Sequence, residues 1–82
     1  MEVSREQITY CLGKTVREIR LQKQKTIEQL ANEINVDYSQ ISRIERGKIN
    51  TTFYQLFRII AALEISLDEF VLRLQQHLTN NP

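Results

Sequence analysis

Between Thr26 and Gly47 the apolar residues Leu30, Ile34, Val36, Ile41 and Ile44, with Ala31 among them, form a stripe of helical period that breaks at residues 35 to 37. Two short amphipathic helices therefore meet there. Ala31 stands where a crossing helix comes closest, and its methyl group lets two backbones approach where a larger side chain would hold them apart. Asn35, at the break, is after glycine among the residues that best accept a left-handed backbone, so it can end the first of these helices without a long loop. The spacing predicts two helices at a steep angle joined by a turn of about three or four residues.

Around this pair one start signal recurs. A Ser, Thr or Asp is followed three residues later by Gln or Glu, which satisfies the orphan amides of a helix N-terminus reciprocally. The pairs are Ser4 with Gln7, Thr26 with Gln29, Asp37 with Gln40, Thr52 with Gln55 and Ser66 with Glu69. They predict five helices, over about 5–24, 27–34, 38–46, 53–63 and 67–78, in a single domain spanning 1–82 whose residues 79–82 form a frayed tail. Before three of the caps an apolar residue is placed to pack into the helix that follows: Val3 on Ile8, Val36 on Ile41 and Ile65 on Phe70. No strand pattern or internal repeat interrupts the series, and the predicted fold class is all-α.

The first helix carries Ile8, Leu12, Val16 and Ile19 on one face, while Gly13 weakens its middle by about 1 kcal/mol relative to Ala. The fourth turns Leu56, Ile59, Ile60 and Leu63 toward the core. The fifth is apolar at 67, 70, 71, 72, 74 and 78, which is too wide for one core face. The surplus is expected to be covered by a second copy of the chain, through Phe57, Val71, Leu72 and Leu78. The competing reading is that Leu72 is simply exposed, as single leucines often are.

Composition narrows the chemistry. A chain of 82 residues buries only about 60–65% of its unfolded surface, so a partner subunit would add useful stability. At 41% hydrophobic and 26% charged residues it has the balance of a soluble globular domain, and no apolar run approaches a membrane span. The N-terminus, MEVSREQ, lacks the basic-then-apolar order of a signal peptide, which points to the cytoplasm. One cysteine, Cys11, and one histidine, His77, far apart, make neither an internal disulfide nor a metal-ligand cluster, and Cys11 reads as a small buried or half-buried residue. Without a glycine-rich phosphate loop or a nucleophile paired with a base, no enzyme activity and no cofactor are expected. The net charge is only +1, but it is unevenly spread. Lys14, Arg17, Arg20, Lys23, Lys25, Arg43, Arg46 and Lys48 face five acidic residues in the same span, whereas the chain from Thr51 onward is mildly acidic.

Two crossing helices on a tight turn form the helix-turn-helix, whose second helix enters the DNA major groove. The segment ending in Ser42-Arg43-Ile44-Glu45-Arg46-Gly47 resembles the lambda-repressor and Cro-like (XRE-type) helix-turn-helix family. The similarity runs from about Leu12 to about Leu74 and takes in Arg20 and the Leu-rich fourth helix. Two positions depart from the family pattern: Ile27 stands where Gln is usual, and Asn35 where the turn usually has Gly. The resemblance implies a compact five-helix lambda-repressor-like domain, double-stranded DNA as partner, and an ion pair between Arg20 and Glu45 that bridges the first helix to the end of the recognition helix, with Arg20 also near a phosphate.

Base edges are reached from the first turn of a recognition helix and the turn after it, here Tyr38, Ser39, Gln40 and Arg43. Arg43 can donate two parallel bonds to guanine. Gln40 can pair with adenine or close the capping box with Asp37, and Tyr38 can touch a thymine methyl or a phosphate or cover the core edge. Gln22, Lys23, Thr26, Arg46, Lys48 and Asn50 are the candidate phosphate contacts. Two functions compete: a homodimeric, sequence-specific transcriptional regulator on a near-palindromic operator, and a protein-interaction module or antitoxin whose C-terminal helix binds another protein. Regulation is expected to come from concentration, dimerisation or a protein co-regulator.

Overall fold

The first four helices share one way of ending. In the computed structural model, which describes residues 2–80, the helices are α1 (Arg5–Gln22), α2 (Ile27–Glu33), α3 (Tyr38–Glu45), α4 (Phe53–Ala62) and α5 (Leu67–Asn80). After each of the first four, one residue takes a left-handed backbone: Gln24 (φ 58°), Asn35 (φ 58°), Gly47 (φ 71°) and Glu64 (φ 56°). The following amide reaches back five residues to close the last turn, as in Lys25 N–H to Arg20 O at 3.1 Å, Val36 N–H to Ala31 O at 3.0 Å and Lys48 N–H to Arg43 O at 2.9 Å. These closures end each of the four helices one or two residues before the position that hydrophobic spacing suggests.

At the starts, Ser4 and Thr26 form complete capping boxes with Gln7 and Gln29. Thr52 and Ser66 make half of one: each hydroxyl accepts from the backbone three residues on, while the Gln55 and Glu69 side chains turn to Arg58 and Arg73 instead. At the far end α5 continues through Thr79 and Asn80, with the Thr79 hydroxyl donating to the Gln75 carbonyl at 3.0 Å. Those two residues are therefore helical and not part of a frayed tail; residues 81–82 lie outside the described residues.

The core is Leu12, Val16 and Ile19 of α1, Leu30, Ala31 and Ile34 around α2, Ile41 and Ile44 of α3, Ile59, Ile60 and Leu63 around α4, and Phe70 of α5. Ile8, expected on the same face, is 39% exposed because it lies one turn before the α1 stretch that meets other helices. Val36 and Ile65 pack partly buried against the core, which holds the entrances to α3 and α5. Cys11 is fully buried in α1; burial pushes its thiol pKa up, with Lys14 pulling more weakly the other way. No helix among the described residues is long and apolar enough to cross a membrane.

α1 packs against both α5 and α3, and α3 packs in turn against α2. The α1–α3 approach is close at one point. A Cβ built on Gly13 would clash with the Ile44 carbonyl oxygen and lie 2.9 Å from that of Glu45. Helix propensity treats Gly13 as a defect, but packing requires it. Gly13→Ala is therefore expected to lower stability by about 2 kcal/mol or more, a drop of roughly 10 °C in melting temperature. Thermal unfolding followed by circular dichroism checks this; an alanine variant at or above the wild-type midpoint would contradict the close approach.

Candidate nucleic-acid interface

The turn between α2 and α3 is made by backbone geometry. Asn35 adopts the left-handed conformation, its N–H donates to Asn32 O at 3.2 Å, and the chain reaches the start of α3 within a few residues. Ala31, 2% exposed, lies in the core with Ile34 and Ile41 of the neighbouring segments. α3 thus buries Ile41, Ile44 and Glu45 and presents its other side outward. Tyr38 (56% exposed), Ser39 and Arg43 lie on that outer side, and Gln40 lies half-buried beside it. At about 100° per residue, Ser39, Arg43 and Arg46 line the outermost stripe, with Ser42 next to it. Ser42 is a residue that the sequence reading passed over; the same helical spacing could have found it.

Asp37 does not cap α3. It stands at the N-cap position, yet its carboxylate makes no cap hydrogen bond; its backbone carbonyl instead accepts from the Gln40 N–H at 3.0 Å. That tight i to i+3 bond uses the amide a capping carboxylate would take, so the expected Asp37–Gln40 box is absent. Of the two roles open to Gln40, the capping one falls away, and its side-chain amide has no partner among the described residues.

A buried fork holds the other end of α3. Arg20 Nε donates to Glu45 Oε2 at 2.7 Å and Arg20 Nη2 to Glu45 Oε1 at 3.0 Å, while Arg20 Nη1 donates to the Lys25 carbonyl at 2.8 Å. Both side chains are under a tenth exposed. The three bonds join α1, the α1–α2 turn and the last turn of α3, so Arg20 acts as a pin and presents almost nothing to a phosphate.

The candidate phosphate contacts divide into groups. Thr26 and Tyr38 border one shallow groove with Leu21, Gln24 and Ile27, where the end of α1 and the start of α2 flank the start of α3. The Thr26 hydroxyl accepts from Gln29 N–H, which leaves its own hydrogen free to donate. Arg46, Lys48 and Asn50 lie at the opposite end of α3; Arg46 Nε donates to Ser42 O at 3.3 Å, and the Asn50 side-chain oxygen accepts from the Thr9 hydroxyl. Gln22 and Lys23 are tied elsewhere: the Gln22 side-chain oxygen accepts from Arg73 of α5, and Lys23 Nζ donates to the Glu64 carbonyl at 3.2 Å. Gln24, which the sequence reading did not single out, is nearer to Tyr38 in the fold than hydrophobic spacing alone could indicate.

The helix-turn-helix family model matches residues 16–70. Among solved structures, the restriction-modification controller protein C.Esp1396I, a tetramer in complex with its natural 35 base-pair operator, is 33% identical, with 88% of this chain and 95% of that one covered and a TM-score of 0.82. Its wild-type form alone gives 33% identity, 88% and 95% coverage and a TM-score of 0.83. The clp gene regulator ClgR from Corynebacterium glutamicum shares the fold at 24% identity, with 87% and 91% coverage and a TM-score of 0.82. No curated protein matches the chain.

The buried fork generates a stability test. Replacing Arg20 or Glu45 alone by Met strands the partner without its counter-charge, so each single change is expected to cost about 3 kcal/mol or more, and the double change less than the sum. Urea unfolding of the three variants measures this. Single variants within about 0.5 kcal/mol of wild type would show that the pair holds nothing together.

Proposed function

The chain belongs to the lambda-repressor/Cro-like (XRE-type) helix-turn-helix family of DNA-binding transcriptional regulators, and from that premise we propose that it reads a near-palindromic operator as a homodimer. The observation that carries the reading is the outer edge of α3. Ser39 and Arg43 are exposed and their side chains have no partner among the described residues, on a helix whose inner side is fixed by Ile41, Ile44 and the Arg20–Glu45 fork. Polar side chains held ready on a rigid helix suit base edges in a major groove. Arg43 is assigned to guanine O6 and N7, Gln40 to adenine, Ser39 to either, and Tyr38 to a thymine methyl or a phosphate. Thr26, Arg46, Lys48 and Asn50 hold the register on the backbone, while Gln22 and Lys23 reach it only by leaving their present bonds. Such a role places the protein in the cytoplasm.

Operator symmetry requires two copies whose α3 helices lie about 34 Å apart. The operator-bound controller tetramer supports a reading in which several copies share one site. The surface that fits a second copy is apolar: Phe57 is 41% exposed with Phe53 stacked edge-on against it at 4.8 Å, and Val71 is 48% exposed. On α5, Leu67, Val71 and Leu78 fall on one stripe, whereas Leu72 lies about 100° around from Val71. Leu67 therefore joins Phe57, Val71 and Leu78 in the proposed interface, with Leu72 at its rim. The same exposed face favours the second reading, a module whose C-terminal helix binds a different protein, and salt separates the two. DNA binding through six or more phosphates loses orders of magnitude in affinity between about 50 and 200 mM salt, whereas a vestigial motif shows no such slope.

Selection from random duplexes tests base reading. Arg43→Ala is expected to lose preference at one base pair in each half-site, by about 1–3 kcal/mol, with the rest of the site kept. An unchanged preference removes Arg43 from the interface. Sedimentation at micromolar concentration tests assembly: wild type is expected to be a dimer and Val71→Asp a folded monomer. A monomeric wild type would rule out the homodimer.

A further inference from the structure

The first turns of α1 and the loop after α3 face each other across a shallow groove lined by Arg5, Glu6 and Thr9 on one side and Gly47, Lys48 and Asn50 on the other. We propose that this groove is a second phosphate-binding wall, in which Arg5 joins Lys48 and Asn50 on one phosphodiester stretch of duplex DNA; the inference rests on the DNA-binding reading above.

Three observations carry it. The two walls are held together: the Thr9 hydroxyl donates to the Asn50 side-chain oxygen, and a Cβ on Gly47 would sit 3.2 Å from Tyr10 Cα, so the loop lies directly on α1. Both cations are uncommitted, since Arg5 and Lys48 are exposed and neither side chain forms an ion pair or hydrogen bond among the described residues. The groove also adjoins the end of α3, because the Lys48 N–H closes that helix on the Arg43 carbonyl at 2.9 Å. With its oxygen committed to Thr9, Asn50 retains its two amide hydrogens as donors. Glu6 in the same lining offsets one of the two cations, which leaves the wall positive by one charge. A guanidinium beside an ammonium and an amide suits a phosphodiester, and a base edge in the groove would not need two cations.

The test compares wild type, Arg5→Gln and Arg5→Lys on the selected operator and on a scrambled duplex, from 50 to 200 mM salt, by fluorescence anisotropy. Circular dichroism confirms that each is folded, as expected for an exposed residue in the first turn. Arg5→Gln is expected to weaken both duplexes by the same factor, about three- to tenfold, and to flatten the plot of log K against log salt by about 0.9, with Arg5→Lys keeping the wild-type slope. Wild-type affinity and slope in Arg5→Gln would overturn the proposal while leaving the DNA-binding reading intact. So would a loss confined to one base pair of the operator. A wild type with no salt dependence removes the DNA-binding reading and this groove with it.

Discussion

The fork from Arg20 to Glu45 is the interaction on which the placement of α3 depends. A recognition helix must leave one side bare, so it cannot be held by burial all round. Eight residues bury only Ile41 and Ile44 as apolar anchors. The fork supplies the missing constraint at the C-terminal end, and the tight Asn35 turn supplies one at the N-terminal end. Gly13 works in the same place by different means: it lets the α1 backbone lie against the carbonyls of Ile44 and Glu45, which brings the carboxylate within reach of a guanidinium one helix away.

What was legible in the sequence was whatever is decided locally. The starts of α1, α2, α4 and α5 follow from Ser4, Thr26, Thr52 and Ser66, whose hydroxyls do accept the expected amides. Helix ends were harder to read. Only Gly47 and Asn35 advertise a left-handed residue, while Gln24 and Glu64 adopt the same backbone with no compositional sign, because tertiary packing of the flanking helices sets where the chain must turn. Asp37 misled because a capping sequence competes with a tight backbone bond that only coordinates reveal. Gly13 was seen as a loss of propensity; its purpose requires knowing that Ile44 lies opposite.

The candidate site divides along the same line. Tyr38, Ser39, Gln40 and Arg43 share one short helix, so placing that helix is enough to bring them to one element, with Ser39 and Arg43 on its outer stripe and Tyr38 and Gln40 flanking it. The candidate phosphate contacts lie on several segments, and there spacing fails: Gln22 and Lys23 are two and one residues from Gln24, yet they turn to α5 and to the α4–α5 turn. Arg5 shares a groove with Lys48 only because α1 is long enough for its first turns to lie beside the loop after α3. The small net charge of the chain conceals this clustering.

Cys11 has a consequence that reaches beyond DNA. Its side chain is fully buried and burial pushes its thiol pKa up, so an alkylating reagent in the surrounding medium cannot reach it while the bundle is closed. Modification must wait for α1 to lift from its neighbours, which makes the chain its own stopwatch: the speed of thiol capture reports how often the fold opens, and whether a bound duplex slows that breathing.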